Sequence, residues 1–365
     1  MRPKSQKYAE TRKGRGAPTN AVPQRFNLQD REIDGDWLDE RDIIGDSASK
    51  LRTTVTTEFP KSIINYNISP DLPFDRSINA YRGCEHGCIY CYARPTHAYH
   101  DLSPGLDFES KLFAKPNAAD LLRQTFAKPK YQPASIAIGT NTDPYQPIEK
   151  RYRITRQILE VMQETLHPVV ITTKSNRVAE DIDLLERLAA RQLTAVAISI
   201  TTLDGKTARL LEPRAPAPAR RLEAVMKLSK AGIYVHVNIA PVVPGITDHE
   251  IEAIVAAASD HGASSVSFIP MRLPHEVAPL FEQWLETYYP ERRSKVMNII
   301  RQLRGGKRND PAFHSRMRGQ GPWADLIRTR LLIAARKAGL AKGKISLRTD
   351  LFRRPVISGS QLELF

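Results

Sequence analysis

The sequence contains three cysteines, and all three lie within eight residues: Cys84, Cys88 and Cys91. Thiolates that converge on one point are ligands for a soft metal ion or for an iron–sulfur cluster. Gly83 and Gly87 lie in the same run, and glycine lets a loop wrap closely around a bound group. The spacing therefore predicts a metal centre with three thiolate ligands. It leaves no cysteine for a disulfide, a fourth thiolate ligand or a separate nucleophile.

Two kinds of centre fit these cysteines. A [4Fe–4S] cluster held at three corners leaves its fourth iron open to a ligand that is not part of the protein. The alternative is a zinc ion with His86, His97 or His100 as the fourth ligand. Spacings of four and then three residues are unusual for zinc knuckles, and the surrounding pattern does not suit a small zinc module. The residues favour the cluster.

The elements around this loop form an alternating pattern of short β-rich runs and amphipathic stretches. The runs are apolar throughout, as in buried parallel sheets, and the amphipathic stretches have helical periodicity. We predict an α/β fold, a partial (β/α)6 barrel whose functional loops follow the strands. The predicted strands are 77–81, 135–139, 169–173, 195–200, 234–239 and 266–269, and the predicted helices are 118–126, 154–165, 178–191, 219–231 and 248–258.

Composition divides the chain into four predicted segments. Residues 1–58 are polar, basic and weakly periodic, so we expect them to be largely disordered, with order beginning near Ser62. Residues 59–273 form the core barrel, residues 274–354 a basic helical extension, and residues 355–365 a flexible tail. The sequence has no run of about 18 apolar residues and no apolar stretch of a signal peptide near Met1. With its few, clustered cysteines, the sequence predicts a protein of the reducing cytoplasm.

The net charge of +14 is unevenly distributed. Residues 292–354 contain 18 Lys or Arg and 3 Asp or Glu, and residues 1–16 contain six basic residues and one Glu, so the remainder carries −6. Such asymmetry is expected of a protein with a polyanionic partner. A solvated basic face that aids solubility is the alternative.

Several strings resemble a known family. The spacing of Cys84, Cys88 and Cys91, with Tyr90 before the last cysteine, resembles the radical S-adenosylmethionine (radical SAM) superfamily. GTNTDPYQPIEKRYRITRQILE, ITTKSNRVAEDIDLL and APVVPGITD resemble its spore photoproduct lyase-like branch, often labelled DNA repair photolyase, and the long basic C-terminal part resembles a bacterial subfamily of that branch. The resemblance implies a full or partial barrel, a [4Fe–4S] cluster and S-adenosylmethionine, whose reductive cleavage yields a 5′-deoxyadenosyl radical.

The resemblance also implies residue roles. The three cysteines would bind the cluster, and the predicted cofactor-binding residues are Tyr90 near the adenine, Lys174 at the carboxylate, Ser199 and Thr201 at the ribose, and Val242 to Gly245 at the adenine edge. Asp143 either accepts hydrogen bonds from the cofactor or starts a turn with Pro144. Lys174 and Ser199 have structural alternatives too, as a solvated ammonium and a partner of neighbouring backbone.

One feature departs from the resembled lyase, which uses an extra cysteine as a hydrogen-atom donor. This chain has no fourth cysteine, so repair of spore photoproduct by that route is in doubt. We hypothesise that a tyrosine serves as the hydrogen-atom relay. The candidates near the loops in sequence are Tyr92, Tyr99 and Tyr145.

The tail resembles the bacterial sliding-clamp-binding peptide through Gln361, Leu362, Leu364 and Phe365. The alternative is that its apolar residues pack back onto the barrel. Together the features predict a radical SAM enzyme acting on nucleic acid, with an electron donor such as flavodoxin or ferredoxin. The alternatives are a radical SAM enzyme with a protein or small-molecule substrate, and a nucleic-acid-binding protein whose cluster is structural or redox-sensing.

Overall fold

The computed structural model describes residues 14–20, 51–340 and 345–356. Within them the chain forms two β-sheets surrounded by helices. The strands are β1 Thr54–Thr57, β2 Ile64–Tyr66, β3 Arg76–Ile78, β4 Tyr81–Arg82, β5 Lys111–Ala114, β6 Ile136–Ile138, β7 Val169–Thr173, β8 Thr194–Ser199, β9 Tyr234–Val242 and β10 Ser265–Pro270.

The larger sheet has seven strands in the order β10-β9-β8-β7-β6-β3-β2. Each neighbouring pair from β3 to β10 is parallel, and β2 pairs antiparallel with β3. Six parallel strands thus follow one another in chain order, and the sheet is open between β2 and β10. The predicted α/β fold, a partial (β/α)6 barrel, is confirmed. All six predicted strands exist within a few residues of their predicted bounds.

The smaller sheet, in the order β1-β5-β4, was not predicted. The run predicted over 77–81 divides after Ile78: β3 stays in the large sheet, whereas Tyr81 and Arg82 pair with β5. Strands of two to four residues give too little alternation to stand out in a sequence. This division matters because it turns the chain out of the barrel immediately before the cysteines.

The α-helices lie between and after these strands in the chain. They are α1 Asp107–Ser110, α2 Ala118–Ala127, α3 Glu149–Tyr152, α4 Ile154–Glu164, α5 Ile182–Ala189, α6 Gly205–Leu211, α7 Pro218–Lys230, α8 Ile251–Asp260, α9 Val277–Tyr288, α10 Arg293–Leu303, α11 Ser315–Arg318 and α12 Gly321–Lys337. The predicted helices 178–191 and 248–258 begin as 3-10 turns, Asn176–Asp181 and Asp248–Glu250. Ile158, Leu185 and Val225 join the strand residues in one core, each worth roughly 1.5–3 kcal/mol.

Described structure begins earlier in the chain than Ser62, the position that the sequence predicted. Residues 14–20 pack against the cysteine loop, and β1 already lies at Thr54–Thr57, before Ser62. Glu109 explains the first contact, because its buried carboxylate accepts hydrogen bonds from the backbone N–H groups of Gly16 and Ala17 at 3.0 and 2.8 Å. The rest of the predicted disordered segment, residues 1–13 and 21–50, lies outside the described residues.

The C-terminal part is helical as far as Lys337, after which residues 345–356 are described without helix or strand. Their backbone is bonded to the barrel: the Arg348 N–H donates to the Gln192 carbonyl at 3.0 Å, and the Arg353 N–H donates to the Thr165 carbonyl at 2.8 Å. The tail peptide at residues 361–365 lies outside the described residues. No described helix is long and apolar enough to cross a membrane.

Candidate active site

The predicted site residues lie where the parallel strands end. The cysteine loop follows β4, Asp143 follows β6, Lys174 follows β7, and Thr201 follows β8. Because parallel strands present their carboxyl ends at one edge, Asp143, Lys174 and Thr201 share one mouth of the barrel. The cysteine loop lies at the same mouth, where Gly83 contacts Thr142 and Tyr90 contacts Thr201. Val242 ends β9 at the same edge. The structure thus brings together most of the residues that the sequence singled out.

The cysteine loop holds three free thiols. Cys84 and Cys88 are buried, Cys91 is partly exposed, and burial raises the pKa of all three thiols. In such surroundings a thiol stays neutral unless a metal stabilises the thiolate. These soft donors are therefore suited to holding a metal centre rather than to acting as exposed nucleophiles.

Two glycines let the loop close. Gly83 has φ +73°, and a Cβ there would lie 2.6 Å from Leu112 Cδ2 and 2.8 Å from the Phe108 carbonyl oxygen. Gly87 has φ +67°, and a Cβ there would lie 2.8 Å from Glu109 Oε2. Both positions demand glycine, as the sequence suggested, because of backbone conformation and close approach together.

A buried ion pair holds one side of the loop. The side chains of Arg94 and Glu109 are fully buried, and Arg94 Nη2 lies 2.5 Å from Glu109 Oε1. Arg94 also donates to the carbonyl oxygens of Cys88 at 2.9 Å and Gly87 at 3.1 Å. A planar guanidinium that bonds two loop carbonyls and a carboxylate fixes the loop in one conformation.

The loop after β6 holds the other side. The Thr142 hydroxyl donates to the Gly83 carbonyl at 2.6 Å, and the Gln146 amide donates to the same oxygen at 3.2 Å. Gln146 Oε1 accepts from the Glu85 N–H at 2.9 Å. The cysteines are therefore positioned by groups from outside their own loop, as a prearranged metal centre requires.

Two of the histidines considered as a fourth zinc ligand, His86 and His97, contact other groups of the protein. His86 is buried, and its Nδ1 lies 3.4 Å from Asp143 Oδ2 without the alignment of a hydrogen bond. His97 packs edge-on against Phe108, its Nε2–H donates to the Lys111 carbonyl at 2.8 Å, and burial lowers its pKa to about 4. Within the described ranges, no three His, Cys, Asp or Glu side chains converge closely enough to hold one metal ion. Three thiols in a loop whose glycines allow close approach are the donors that an iron–sulfur cluster takes.

A buried carboxylate, Glu212, lies beside the cysteine loop. Its Oε1 accepts hydrogen bonds from the Tyr90 hydroxyl and from the Thr201 hydroxyl, the latter at 2.7 Å, and lies 3.4 Å from Lys174 Nζ. Its Oε2 accepts from Arg221 Nη2. Burial alone would raise the pKa of Glu212, but the charges of Arg221 and Lys174 hold that pKa well below its usual range. The carboxylate stays ionised and orients three residues of the mouth.

Lys174 links three strands. Its backbone N–H donates to Asp143 Oδ2 at 2.7 Å, and its ammonium donates to the Ala240 carbonyl at 3.3 Å. The ammonium also lies 5.6 Å from the centre of the Tyr90 ring, a cation–π arrangement. Lys174 is thus partly covered and already paired with Glu212, rather than solvated. Its predicted contact with a cofactor carboxylate stays a prediction.

Asp143 ties the loop after β6 to the end of β7. Its Oδ1 accepts from the Thr173 hydroxyl at 2.6 Å and from the Tyr145 N–H at 2.9 Å, while its Oδ2 accepts from Lys174. Burial alone would raise the pKa of Asp143, but His86 and these hydrogen bonds hold it below its usual range. Both carboxylate oxygens of Asp143 accept hydrogen bonds from the protein, as expected if Asp143 stabilises the turn that it starts with Pro144. Its contact with a cofactor stays a prediction.

The remaining cofactor-binding candidates lie on the neighbouring strands. Ser199 is buried at the end of β8, and its carbonyl accepts from Arg221 Nη1 at 3.0 Å. Val242 is buried, and Gly245 occupies a turn at φ +69° whose N–H donates to Asp248 Oδ1 at 2.9 Å. They lie around the mouth, and their contacts with an adenosine stay predictions.

The structure does not bring the three candidate relay tyrosines together. Tyr145 is buried in the core, where its hydroxyl donates to Asp181 Oδ2 at 2.9 Å. Tyr99 is exposed on the 3-10 helix Arg94–His100. Tyr92 is 53% exposed and adjoins Cys91, and its hydroxyl donates to the Thr140 carbonyl. Of the three, Tyr92 adjoins a cysteine.

Sequence reasoning missed Glu212, Arg221 and Glu109 as parts of the site. Glu212 pairs with Arg221 on α7. Arg94 and Glu109 lie 15 residues apart and face each other only after β4 and β5 pair. A charged residue in a loop has no sequence signal that separates a buried pair from a solvated one.

Comparisons with known proteins agree with this geometry. The model of the Radical SAM superfamily matches residues 78–258. An uncharacterized protein of Mycobacterium tuberculosis is 34% identical over 232 residues, which are 63% of this chain and 68% of that protein. A radical SAM Nα-GlyT isomerase of Pseudomonas phage M6 is 24% identical over 229 residues, 61% of this chain and 45% of the isomerase.

Among solved structures, a variant of spore photoproduct lyase superposes with a TM-score of 0.57 at 15% sequence identity, over 78% of this chain and 79% of the lyase. At that identity the likeness concerns the fold. The family match and the relatives, together with a barrel that carries three thiols at its mouth, show that this chain belongs to the radical SAM superfamily and is a radical SAM enzyme.

Proposed function

We propose that the protein cleaves S-adenosylmethionine at a [4Fe–4S] cluster bound by Cys84, Cys88 and Cys91, and that its substrate is a nucleic acid. When bound, such a cluster supplies the electron that generates a 5′-deoxyadenosyl radical. The observation that supports the first half is the buried loop of three free thiols at the barrel mouth. The chain's own part is to hold that loop rigid and to shield it from water.

The position of the basic extension supports a nucleic-acid substrate. Arg304 of this extension is buried and donates to the carbonyl oxygens of Pro270 and Met271, at the carboxyl end of β10. Arg316 binds Asp71 at 2.5 Å on the same side. The first part of the basic segment, residues 292–318 with 9 Lys or Arg and one Asp, is thereby attached beside the mouth. Clustered cations beside a mouth attract polyanions.

Reconstitution under anaerobic conditions tests the first half. Wild-type protein given iron, sulfide, S-adenosylmethionine and dithionite should be brown and should release 5′-deoxyadenosine. Single Ser substitutions of Cys84, Cys88 and Cys91 should lower the iron content and abolish release. Brown protein that releases no 5′-deoxyadenosine would instead favour a structural or redox-sensing cluster.

Isotope transfer tests the substrate. Deuterium from labelled single-stranded DNA or RNA should appear in 5′-deoxyadenosine if nucleic acid is the substrate. Transfer from labelled peptides or metabolites, with none from nucleic acid, would favour the alternative substrate classes. The same assay with flavodoxin or ferredoxin in place of dithionite examines the proposed electron donor.

We also propose that Gln361, Leu362, Leu364 and Phe365 bind a bacterial sliding clamp. The support is the resemblance of these residues to the clamp-binding pattern. The full chain should bind purified clamp, and a variant with Ala at Leu364 and Phe365 should not. Equal binding by both would refute the proposal. The free thiols suit the reducing cytoplasm that the sequence predicts.

A further inference from the structure

Arg272 occupies an unusual position at the barrel mouth. It lies two residues beyond the end of β10, on the edge that carries the cysteine loop, and it is half-buried. Its Nε is buried without a hydrogen-bond partner, and Nη1 donates only to the Met317 sulfur, at 3.3 Å. Among the described residues, no carboxylate lies within ion-pairing distance of this guanidinium. A cation held partly out of water without a counter-charge costs free energy.

The charged neighbours of Arg272 do not supply the missing counter-charge. Arg304 and Arg316 lie close by, but their donors are already occupied, those of Arg304 by backbone carbonyls and those of Arg316 by Asp71. Burial and then the charge of Arg316 lower the pKa of Arg272. Burial and then the charge of Arg272 lower the pKa of Arg304 to about 10. Asp71 and Asp310 are the carboxylates that act on Arg272, and Asp71 already pairs with Arg316, so three arginines face two carboxylates. Arg272 is the member of this cluster with donors to spare.

Two exposed aromatic side chains flank this cluster. Tyr92, beside Cys91, is 53% exposed and lies near Arg272. Phe313 is 50% exposed, and the Arg316 guanidinium lies 4.8 Å from the centre of its ring. Aromatic faces next to unpaired cationic donors are typical of sites that bind single-stranded nucleic acid, since bases stack on the rings and phosphates pair with the cations.

We infer that Arg272 binds a phosphate group of a nucleotide unit at the mouth of the barrel, beside the cysteine loop. The ligand class is a phosphodiester, which arginine contacts with two parallel N–H donors. This inference rests on the proposed nucleic-acid substrate and names one residue that would hold it. Phosphate binding there places the adjoining nucleotide next to Tyr92 and the cysteine loop.

Binding over a salt series tests the inference. The reconstituted full-length protein is titrated with a fluorescein-labelled single-stranded DNA of about 12 nucleotides, under anaerobic conditions. R272Q should weaken binding about tenfold and lower the slope of log K against log salt by about one. R272K keeps the charge, so it should keep the slope and lose less affinity. The matched control is R220Q, at a 64% exposed arginine of α7 paired with Glu223, and it should bind like wild type.

The outcomes separate the inference from the proposed function. Wild-type affinity and salt slope in both R272Q and R272K, with DNA bound by all proteins, would overturn the inference and leave the function standing. If wild type binds no DNA but binds inorganic pyrophosphate, and R272Q does not, the phosphate site stands and the nucleic-acid substrate falls. Circular dichroism verifies folding. Should R272Q fail to fold, R272M is measured in its place, and wild-type affinity and salt slope in that variant would overturn the inference.

Discussion

At the scale of single residues, the site depends on an ionised carboxylate in a place that water does not reach. Glu212 is held by Arg221, Lys174, Tyr90 and Thr201, so its negative charge is shared among cations and hydroxyls. Such an arrangement adds little to stability when complete, but it is costly to break. It orients Tyr90 and Lys174, two of the residues predicted to meet the cofactor.

We predict that Glu212→Gln lowers the free energy of unfolding by about 3 kcal/mol, because it leaves Arg221 buried without a counter-charge. The measurement is thermal unfolding followed by circular dichroism, at matched iron content. Glu223→Gln on α7 is the control: Glu223 pairs with Arg220 at the surface, so its loss should cost less than about 0.5 kcal/mol. Similar melting temperatures for the two variants would contradict this account of Glu212.

The sequence predicted the donor set of the metal centre but not its supports. Cys84, Cys88 and Cys91 are conspicuous because the chain has no other cysteine. Glu109 and Glu212 are two of its 40 acidic residues, and nothing local distinguishes them. Their importance comes from burial, which depends on contacts distant in sequence.

At the scale of elements, the cysteine loop is completed by a segment from far upstream. Gly16 packs so closely on the loop that a Cβ there would lie 1.7 Å from the Gly87 carbonyl oxygen. Arg15 donates to the Glu109 carbonyl at 2.6 Å and to the Leu51 carbonyl at 2.6 Å. Residues 14–20 therefore form part of the wall of the metal centre.

We predict that Gly16→Ala loosens this wall, since the added methyl group has no room beside Gly87. The variant should lose its iron in air about twofold faster or more, and trypsin should cut after Arg15 sooner. Iron retained per chain after gel filtration is the measurement. The matched change is Gly205→Ala at the start of α6, where a Cβ meets nothing within 4 Å. Equal iron loss in both would mean that the segment does not protect the centre.

Element prediction succeeded where periodicity is strong and failed where contacts are distant. The strands β6 to β8 are largely apolar runs, and α4 and α7 are long amphipathic stretches, so both kinds were found. The docking of Gly16 and Ala17 on Glu109 joins residues more than 90 positions apart, and no local pattern announces it. The small sheet was missed because its strands are short.

At the scale of the whole molecule, residues 345–356 close the end of the barrel opposite the mouth. Phe352 packs with its ring centre 5.5 Å from those of Phe126 and His167. Arg354 donates to the Pro129 carbonyl at 2.7 Å. These partners precede β6 and β7, so the contacts lie at the amino ends of the parallel strands.

We predict that Phe352→Ala lowers the free energy of unfolding by about 2 kcal/mol, because it removes a ring from an aromatic cluster of the core. Urea unfolding followed by fluorescence is the measurement. Phe59→Ala provides the comparison, since Phe59 is 70% exposed and its loss should cost less than about 0.5 kcal/mol. A cost for Phe352→Ala as small as that control would show that this segment adds nothing to the barrel.

Because of the path of residues 345–356, the two ends of the barrel carry different parts of the chain. The cysteine loop and Arg272 lie at the carboxyl ends of the strands, whereas the described chain leaves Arg354 at the amino ends, and a six-residue strand between them spans roughly 20 Å. A macromolecule that binds residues 345–356 themselves would therefore meet the molecule at the amino ends of the strands, away from the mouth. Binding at that end and chemistry at the mouth would use different surfaces of the barrel.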